Sequence, residues 1–300
     1  MAIQRVGIVG FGEVGRIFAA GLKNAGVEWV GVWDLKLDDP GQRGDLQAVA
    51  SAQGLQVCAS GAELCAQATL VISAVTAAST LAVAFEATAD IQPGAFFLDL
   101  NSASPGTKQE AASLVDTAGG RYVEAGVMTS VPPHGMRVPM LLGGTHAAEL
   151  ADQLLAWGMN VRVVSEHIGV ASATKMCRSV MIKGLEALVL ESYATARHHG
   201  VEDAMIATLQ ETFPGIDWQE QGSYFFSRMA QHGQRRAEEM REAAQTVREA
   251  GFEPLMANAI AAKHDWMASK ARAGAFADVP DKAEWQAWAD RLKASGQPRA

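Results

Sequence analysis

Lys175 and Arg178 have the types and spacing for proton chemistry on a small molecule. They lie in Gly169-Val-Ala-Ser-Ala-Thr-Lys175-Met-Cys-Arg178-Ser179. In a helix, a spacing of three puts both cations on one face, with Ser172 and Ser179 flanking them. The neighbours Ala171, Ala173, Met176, Cys177, Val180, Met181 and Ile182 are small or apolar all round, which predicts a segment buried on most sides. A lysine in that setting, beside a second cation, has a lowered pKa and can exchange a proton with a reacting oxygen.

A second constellation opens the chain. The apolar run Val6, Ile8, Val9 leads into Gly10-Phe11-Gly12-Glu13-Val14-Gly15, followed by an amphipathic helix to about Ala25. A strand ending in such a turn aims backbone N–H groups and a positive helix end at one spot, which suits a pyrophosphate. Gly10 permits the tight turn, Gly12 lets the backbone approach the phosphates, and Gly15 lets helix and strand pack closely. Alone, this pattern also reads as a helix-entry loop. The run Trp29-Val-Gly-Val-Trp33 supplies the other half, because it ends in Asp34, nineteen residues beyond Gly15. A carboxylate there accepts both ribose hydroxyls of an adenosine and repels a 2′-phosphate, which favours NAD. Lys36 keeps NADP open as a phosphate partner, or is a solvated loop lysine.

These residues need a scaffold. Three hundred residues predict two domains. With 49% hydrophobic and 19% charged residues, the chain is expected to be soluble with a large core. A formal charge of −8 argues against nucleic acid or an anionic membrane as partner. No apolar run is long enough to span a bilayer, and with a strand so near the start no signal peptide is expected. Cys58, Cys65 and Cys177 are odd in number and lack metal-ligand spacing, so free thiols in a reducing cytoplasm are expected, Cys177 as a buried one. His198, His199 and Glu202 also lack ligand spacing, so no metal is expected.

The first half alternates strand-like runs with helical segments: Leu55–Val57, Leu70–Val75, Ala95–Leu100, Arg121–Ala125, Pro139–Leu142 and Val161–Val164 follow the first two strands. Ser60-Gly-Ala-Glu63 has capping-box spacing, Ser104-Pro105 places proline at a helix start, and a helix is expected from about Thr145 to Trp157. Beyond His167 the chain turns Ala-, Glu-, Met- and Arg-rich. Ala171 to about His198 reads as one unbroken helix, with later breaks at Phe213-Pro-Gly215 and Gly251-Phe-Glu-Pro254, and Ser295–Ala300 reads as a frayed tail. The expected fold class is α/β, a Rossmann-type doubly wound, mostly parallel sheet over 1–166, followed by an all-helical domain over 167–300.

Taken together, the glycine turn, Asp99-Leu-Asn-Ser-Ala-Ser-Pro105 and Gly169-x-x-x-x-x-Lys175 resemble the β-hydroxyacid dehydrogenase family, which includes 6-phosphogluconate and 3-hydroxyisobutyrate dehydrogenases. The resemblance covers nearly the whole chain. The second half, with His232-Gly-Gln-Arg-Arg-Ala-Glu-Glu-Met240, looks like an uncharacterised branch with its own helical domain. The resemblance implies hydride transfer between nicotinamide and a hydroxyl carbon β to a carboxylate, with Lys175 moving the hydroxyl proton. It implies that Ser102 contacts substrate, that Ala74, Val75 and Thr76 border the cofactor, and that Asn101 sits near the nicotinamide ribose. Arg235 and Arg236 fall near a basic residue that family members send to cofactor or substrate, with a solvated helix face as the alternative. Homodimerisation through the helical domain is implied too, with Trp266, Trp285 and Trp288 suited to burial between subunits.

The departures from the family pattern matter as much. Arg178 and Ser179 replace the residues usual after the lysine. The glycine-rich segment that cradles the substrate carboxylate reads Ala125-Gly-Val-Met128-Thr129-Ser-Val-Pro-Pro133. Carboxylate binding is therefore expected to have moved to Arg178, whose guanidinium grips two oxygens; pairing with a nearby glutamate is the alternative. Tyr224, Phe225, Phe226 and Met229 either line an apolar pocket or belong to the core. Two other activities stay open: imine reduction, against which Lys175 counts, and NAD(P)H binding or sensing without catalysis.

Overall fold

The computed structural model describes residues 3–295. The chain divides into two compact units, with the division between Met176 and Cys177. The division falls inside the long helix, ten residues beyond the expected boundary, because the first turns of that helix are bonded to the sheet of the first unit. The tail expected after Ser295 lies outside the described residues.

The first unit is built on one sheet of eight strands: β1 (Arg5–Val9), β2 (Trp29–Trp33), β3 (Gln56–Val57), β4 (Leu70–Ser73), β5 (Phe96–Asp99), β6 (Arg121–Val127), β7 (Met140–Gly143) and β8 (Val161–Ser165). Their order is β3-β2-β1-β4-β5-β6-β7-β8, and every adjacent pair is parallel except β6 and β7. Six helices accompany it: α1 (Glu13–Asn24), α2 (Pro40–Ala52), α3 (Gly61–Gln67), α4 (Thr80–Ala87), α5 (Pro105–Thr117) and α6 (Ala147–Ala156). The central strands are apolar throughout because both faces are covered. One face packs Val6, Ile8, Ile72 and Leu98 with Phe18 and Leu22 of α1. The other packs Val71, Phe97 and Tyr122 with Leu64 and Cys65 of α3 and Ala84 of α4.

Local signals set the helix starts. Ser60 Oγ accepts the Glu63 N–H at 3.0 Å while the Glu63 carboxylate accepts the Ala59 N–H at 2.6 Å. Ser104 Oγ caps α5 ahead of Pro105. The helices α2 and α4 lack a strong apolar stripe and were not anticipated; α2 is started by Asp39, which caps it just ahead of Pro40.

The second unit is helical: the remainder of α7 (Val170–His199), then α8 (Glu202–Thr212), α9 (Trp218–Glu249), α10 (Leu255–Arg272) and α11 (Trp285–Ser295). The expected breaks fall between α8 and α9 and between α9 and α10. Trp285 and Trp288 are buried within the unit, Trp285 edge-on to Tyr193 at 5.0 Å between centroids. They are core residues of this chain, a correction to their expected burial between subunits. Trp266 is exposed, with the ammonium groups of Lys263 and Lys270 over its ring. Phe225, Phe226 and Met229 also belong to the core, and only Tyr224 of that stripe is exposed. Among the described residues, no helix is long and apolar enough to cross a membrane.

Candidate active site

The glycine turn after β1 has the conformation its spacing predicts. Gly10 adopts φ +94°, and a Cβ there would stand 2.5 Å from the Ala74 carbonyl oxygen. A Cβ on Gly15 would lie 1.9 Å from the Gly10 carbonyl oxygen, so α1 touches β1 backbone to backbone. At Gly12 nothing lies within 4 Å of an added Cβ, which leaves that stretch of backbone open to a ligand. At the end of β2, Asp34 Oδ2 accepts the Phe11 N–H at 2.7 Å and Oδ1 accepts the Lys36 N–H at 2.9 Å. The carboxylate is thereby fixed beside the loop with lone pairs to spare. Two tight glycines, one open glycine and an oriented acid fit a dinucleotide. Glu13 and the Lys36 side chain are exposed, and Val14 is half-buried.

A buried polar network joins the ends of β4 and β5. Asp99 receives the Lys108 ammonium at 2.8 Å, the Tyr122 hydroxyl at 2.6 Å and the Asn101 N–H at 2.8 Å. Burial and the adjoining Asp99 carboxylate push the Tyr122 phenol well above its ordinary pKa. Asn101 reaches back to β4: its amide donates to Ser73 Oγ at 2.9 Å and its oxygen accepts the Val75 N–H at 2.8 Å. Ala74, Val75 and Asn101 are thus held in one frame, with Ser102 next along the chain. Thr76 is exposed and bonded to Ser79.

Lys175 meets that frame. Its Nζ donates to Ser102 Oγ at 2.5 Å. What places it is a residue that the sequence reading missed, Glu124 on β6. This fully buried carboxylate accepts the N–H groups of Gly169 at 2.7 Å, Ala171 at 3.0 Å and Ser172 at 3.3 Å, the donors left unpaired at the start of α7. Glycines clear the space. A Cβ on Gly143 would fall 2.5 Å from Glu124 Oε1, and one on Gly126 would fall 2.9 Å from the Ala171 carbonyl oxygen. The available signal was a lone acid inside the apolar run Tyr122-Val-Glu-Ala-Gly-Val127.

The surroundings of Lys175 differ from expectation in one respect. Ala171 and Met176 are buried, but Cys177, Arg178 and Met181 are exposed, so α7 turns one face outward and Cys177 is not the buried thiol expected. The buried thiols are Cys58 and Cys65, which desolvation pushes to about 11 and about 12. Arg178 forms no ion pair among the described residues, so its alternative role beside a glutamate is not realised there. Ser179 is buried and accepts the Lys183 ammonium at 3.2 Å. Met128 is half-buried, and Thr129 is exposed. Arg236 corrects the solvated-face alternative: it is buried and forms a two-bond ion pair with the buried Glu186, whereas Arg235 is exposed and pairs with Glu239. His134, His198 and His199 are exposed. No group of three or more potential ligands among the described residues could hold a metal.

Sheet order, glycine turn and strand-end acid together define a nucleotide-binding domain of the dehydrogenase type. A family model described as the NAD binding domain of 6-phosphogluconate dehydrogenase matches residues 5–156, and a model described as a domain of unknown function matches residues 196–267. The chain belongs to this NAD-binding family, in a branch that carries its own C-terminal helical region. A conserved hypothetical protein from Sinorhizobium meliloti 1021 is similar in structure, with 37% identity over 97% of this chain and 96% of that chain and a TM-score of 0.77. A conserved protein of unknown function, described as structurally similar to 3-hydroxyacid dehydrogenases, is 31% identical over 90% of this chain and 98% of that one, with a TM-score of 0.69. A 3-hydroxyisobutyrate dehydrogenase from Mycobacterium tuberculosis shares the fold at 18% identity, covering 98% of this chain and all of that chain, with a TM-score of 0.71. The cofactor class is a nicotinamide dinucleotide.

Proposed function

We propose that this protein is an NAD(P)-dependent dehydrogenase acting at the carbinol carbon of a β-hydroxy acid or related alcohol, with Lys175 as general acid/base. The observation that carries this reading is the Lys175–Ser102 hydrogen bond at the end of β5. A bound nicotinamide supplies a hydride acceptor or donor. Lys175 takes the hydroxyl proton in oxidation and returns one to the carbonyl oxygen in reduction. Ser102 orients the substrate oxygen toward that amine. Met128 and Thr129 replace a bare glycine backbone and select a substrate shaped differently from hydroxyisobutyrate. Arg178, one turn past Lys175 on α7, takes the substrate carboxylate, and the Ser179 hydroxyl hydrogen serves a substrate oxygen.

On the cofactor side, the loop Gly10–Gly15 holds the pyrophosphate, Asp34 the adenosine ribose, and Ala74, Val75, Thr76 and Asn101 border the nicotinamide half. Asp34 favours NAD, and the exposed Lys36 leaves NADP within reach. The helical unit supplies homodimerisation, supported by the exposed Met181 and Leu188, seven residues apart on α7. The free thiols fit a reducing cytoplasm.

The test pairs turnover with cofactor binding. Across a panel of β-hydroxy acids, Lys175→Met is expected to lower kcat at least about 100-fold. NADH affinity, read by fluorescence titration, stays within about twofold, because no cofactor contact is assigned to this amine. An active variant removes Lys175 from the mechanism. Wild-type protein that binds NADH and turns over no member of the panel refutes the dehydrogenase reading in favour of a sensor.

A further inference from the structure

Ser179 has a charged neighbour that the proposed chemistry does not use. Lys183, one turn further along α7, donates from Nζ to Ser179 Oγ at 3.2 Å. The same ammonium meets a carboxylate oxygen of Glu239 on α9 at 2.7 Å. Lys183 and Ser179 are 5% and 7% exposed, so bulk water contributes little to either contact. A buried ammonium needs a partner, and Glu239 is one.

The Ser179 hydroxyl is used differently from its counterparts. Inside helices, Ser and Thr commonly return their hydrogen to the carbonyl four residues back. Thr174, Thr195, Thr246 and Ser223 do so here, at 2.7–3.1 Å. Ser179 does not. Its oxygen accepts the Lys183 ammonium, and no acceptor among the described residues takes its hydrogen. Leaving a buried polar hydrogen without an acceptor is costly. The incoming ammonium also turns that hydrogen away from itself, which biases a two-way group toward donation. A donor held beside a cation suits an anionic oxygen and repels a protonated amine.

We infer that Lys183 is a positioning residue: by holding Ser179 Oγ, it makes that hydroxyl a one-way donor to a carboxylate oxygen of the substrate. The inference rests on the proposed contact between Ser179 and substrate, and adds what that contact selects. An acceptor-only anionic oxygen is favoured there over a neutral amide, and an ammonium is rejected.

The test is calorimetric binding to the full-length protein saturated with NADH, a state in which hydroxy acids bind without being oxidised. The probes are 3-hydroxypropionate, 3-hydroxybutyrate and malonate, with 3-hydroxybutyramide as the neutral match. Lys183→Met and Ser179→Ala are each expected to weaken carboxylate binding about tenfold, the share of one hydrogen bond to a charged group. Both changes remove the same contact, so the double variant should bind within about twofold of the weaker single one. A lysine with a merely structural role would instead add its loss to that of Ser179→Ala. The preference for 3-hydroxybutyrate over its amide should also shrink in each single variant. In Lys183→Met, Glu239 keeps Arg235 at 2.7 Å; circular dichroism checks the fold, and Lys183→Gln takes its place if it does not fold. Additive losses, affinity unchanged in the folded variants, or a wild type that binds none of the carboxylates overturns the inference. Turnover of the two hydroxy acids with NAD is measured in parallel. Binding that depends on Lys183 without turnover refutes the dehydrogenase reading alone, and turnover with binding indifferent to Lys183 refutes this inference alone.

Discussion

Replacing Glu124 tests how the Lys175 amine is placed. In Glu124→Ala, the buried N–H groups of Gly169, Ala171 and Ser172 lose their acceptor, and no water-exposed surface lies beside that carboxylate. Hydrogen bonds to a charged group contribute about 1.5–3 kcal/mol each, and a buried donor left unmade costs about 1–3 kcal/mol. The three bonds share one side chain and are not additive, so a loss of about 4–5 kcal/mol is expected, in the range reserved for broken buried networks. Glu124→Gln keeps one acceptor oxygen and loses the charge opposite the helix start, for about 2–3 kcal/mol. The assay is urea unfolding combined with native-state hydrogen exchange, in which the amides of 169, 171 and 172 should lose protection in either variant before those of β1 and β4 do. Turnover should fall in Glu124→Gln while NADH binding persists, since the glycine loop is untouched. If both variants lose less than about 1 kcal/mol and the three amides stay protected, Glu124 does not anchor α7 and the reasoning fails.

Other outcomes follow from features of the same kind. In Gly15→Ala, the new Cβ meets the Gly10 carbonyl oxygen at 1.9 Å, so NADH affinity should fall at least about 100-fold by fluorescence titration; a variant with unchanged affinity would show that α1 can shift freely. His264 is buried and held near 3 against an ordinary 6.5, so the unfolded chain binds its proton first as pH falls. Stability from this group is therefore intact above about pH 6.5 and is lost progressively toward pH 3, by up to roughly 5 kcal/mol; urea midpoints between pH 7 and 4 should decline less steeply in His264→Gln. Cys58 and Cys65 should resist a thiol-reactive reagent at pH 8 until denaturant is added, and rapid labelling of the native chain at either would contradict their burial.

The dinucleotide half of the site could be read because its residues act through local geometry. Gly10, Gly12, Gly15 and Asp34 are set by one strand–turn–helix and the end of the next strand, and the apolar runs marked the central strands. Lys175 was legible as chemistry but not as placement. Its helix is fixed by Glu124, 45 residues before Gly169, and nothing in the sequence near either partner announces the other. The Asp99–Lys108–Tyr122 network was hidden for the same reason, since each member looks ordinary in its own segment. Charge misled at Arg236, because a basic run on a long helix reads as solvated until Glu186 is found facing it. Size misled at Trp285 and Trp288, large apolar rings that the chain buries itself.

The phenol under the loop of Asn101 and Ser102 bears on how kinetic data from this protein should be interpreted. Tyr122 keeps its proton far into the alkaline range, and Lys108 and Asp99 are sealed around it. The phenol beneath Ser102 therefore stays neutral where an ordinary tyrosine would ionise. An inflection of turnover near the ordinary tyrosine range is therefore not the ionisation of this phenol, which removes one scaffold group from the reading of a rate profile.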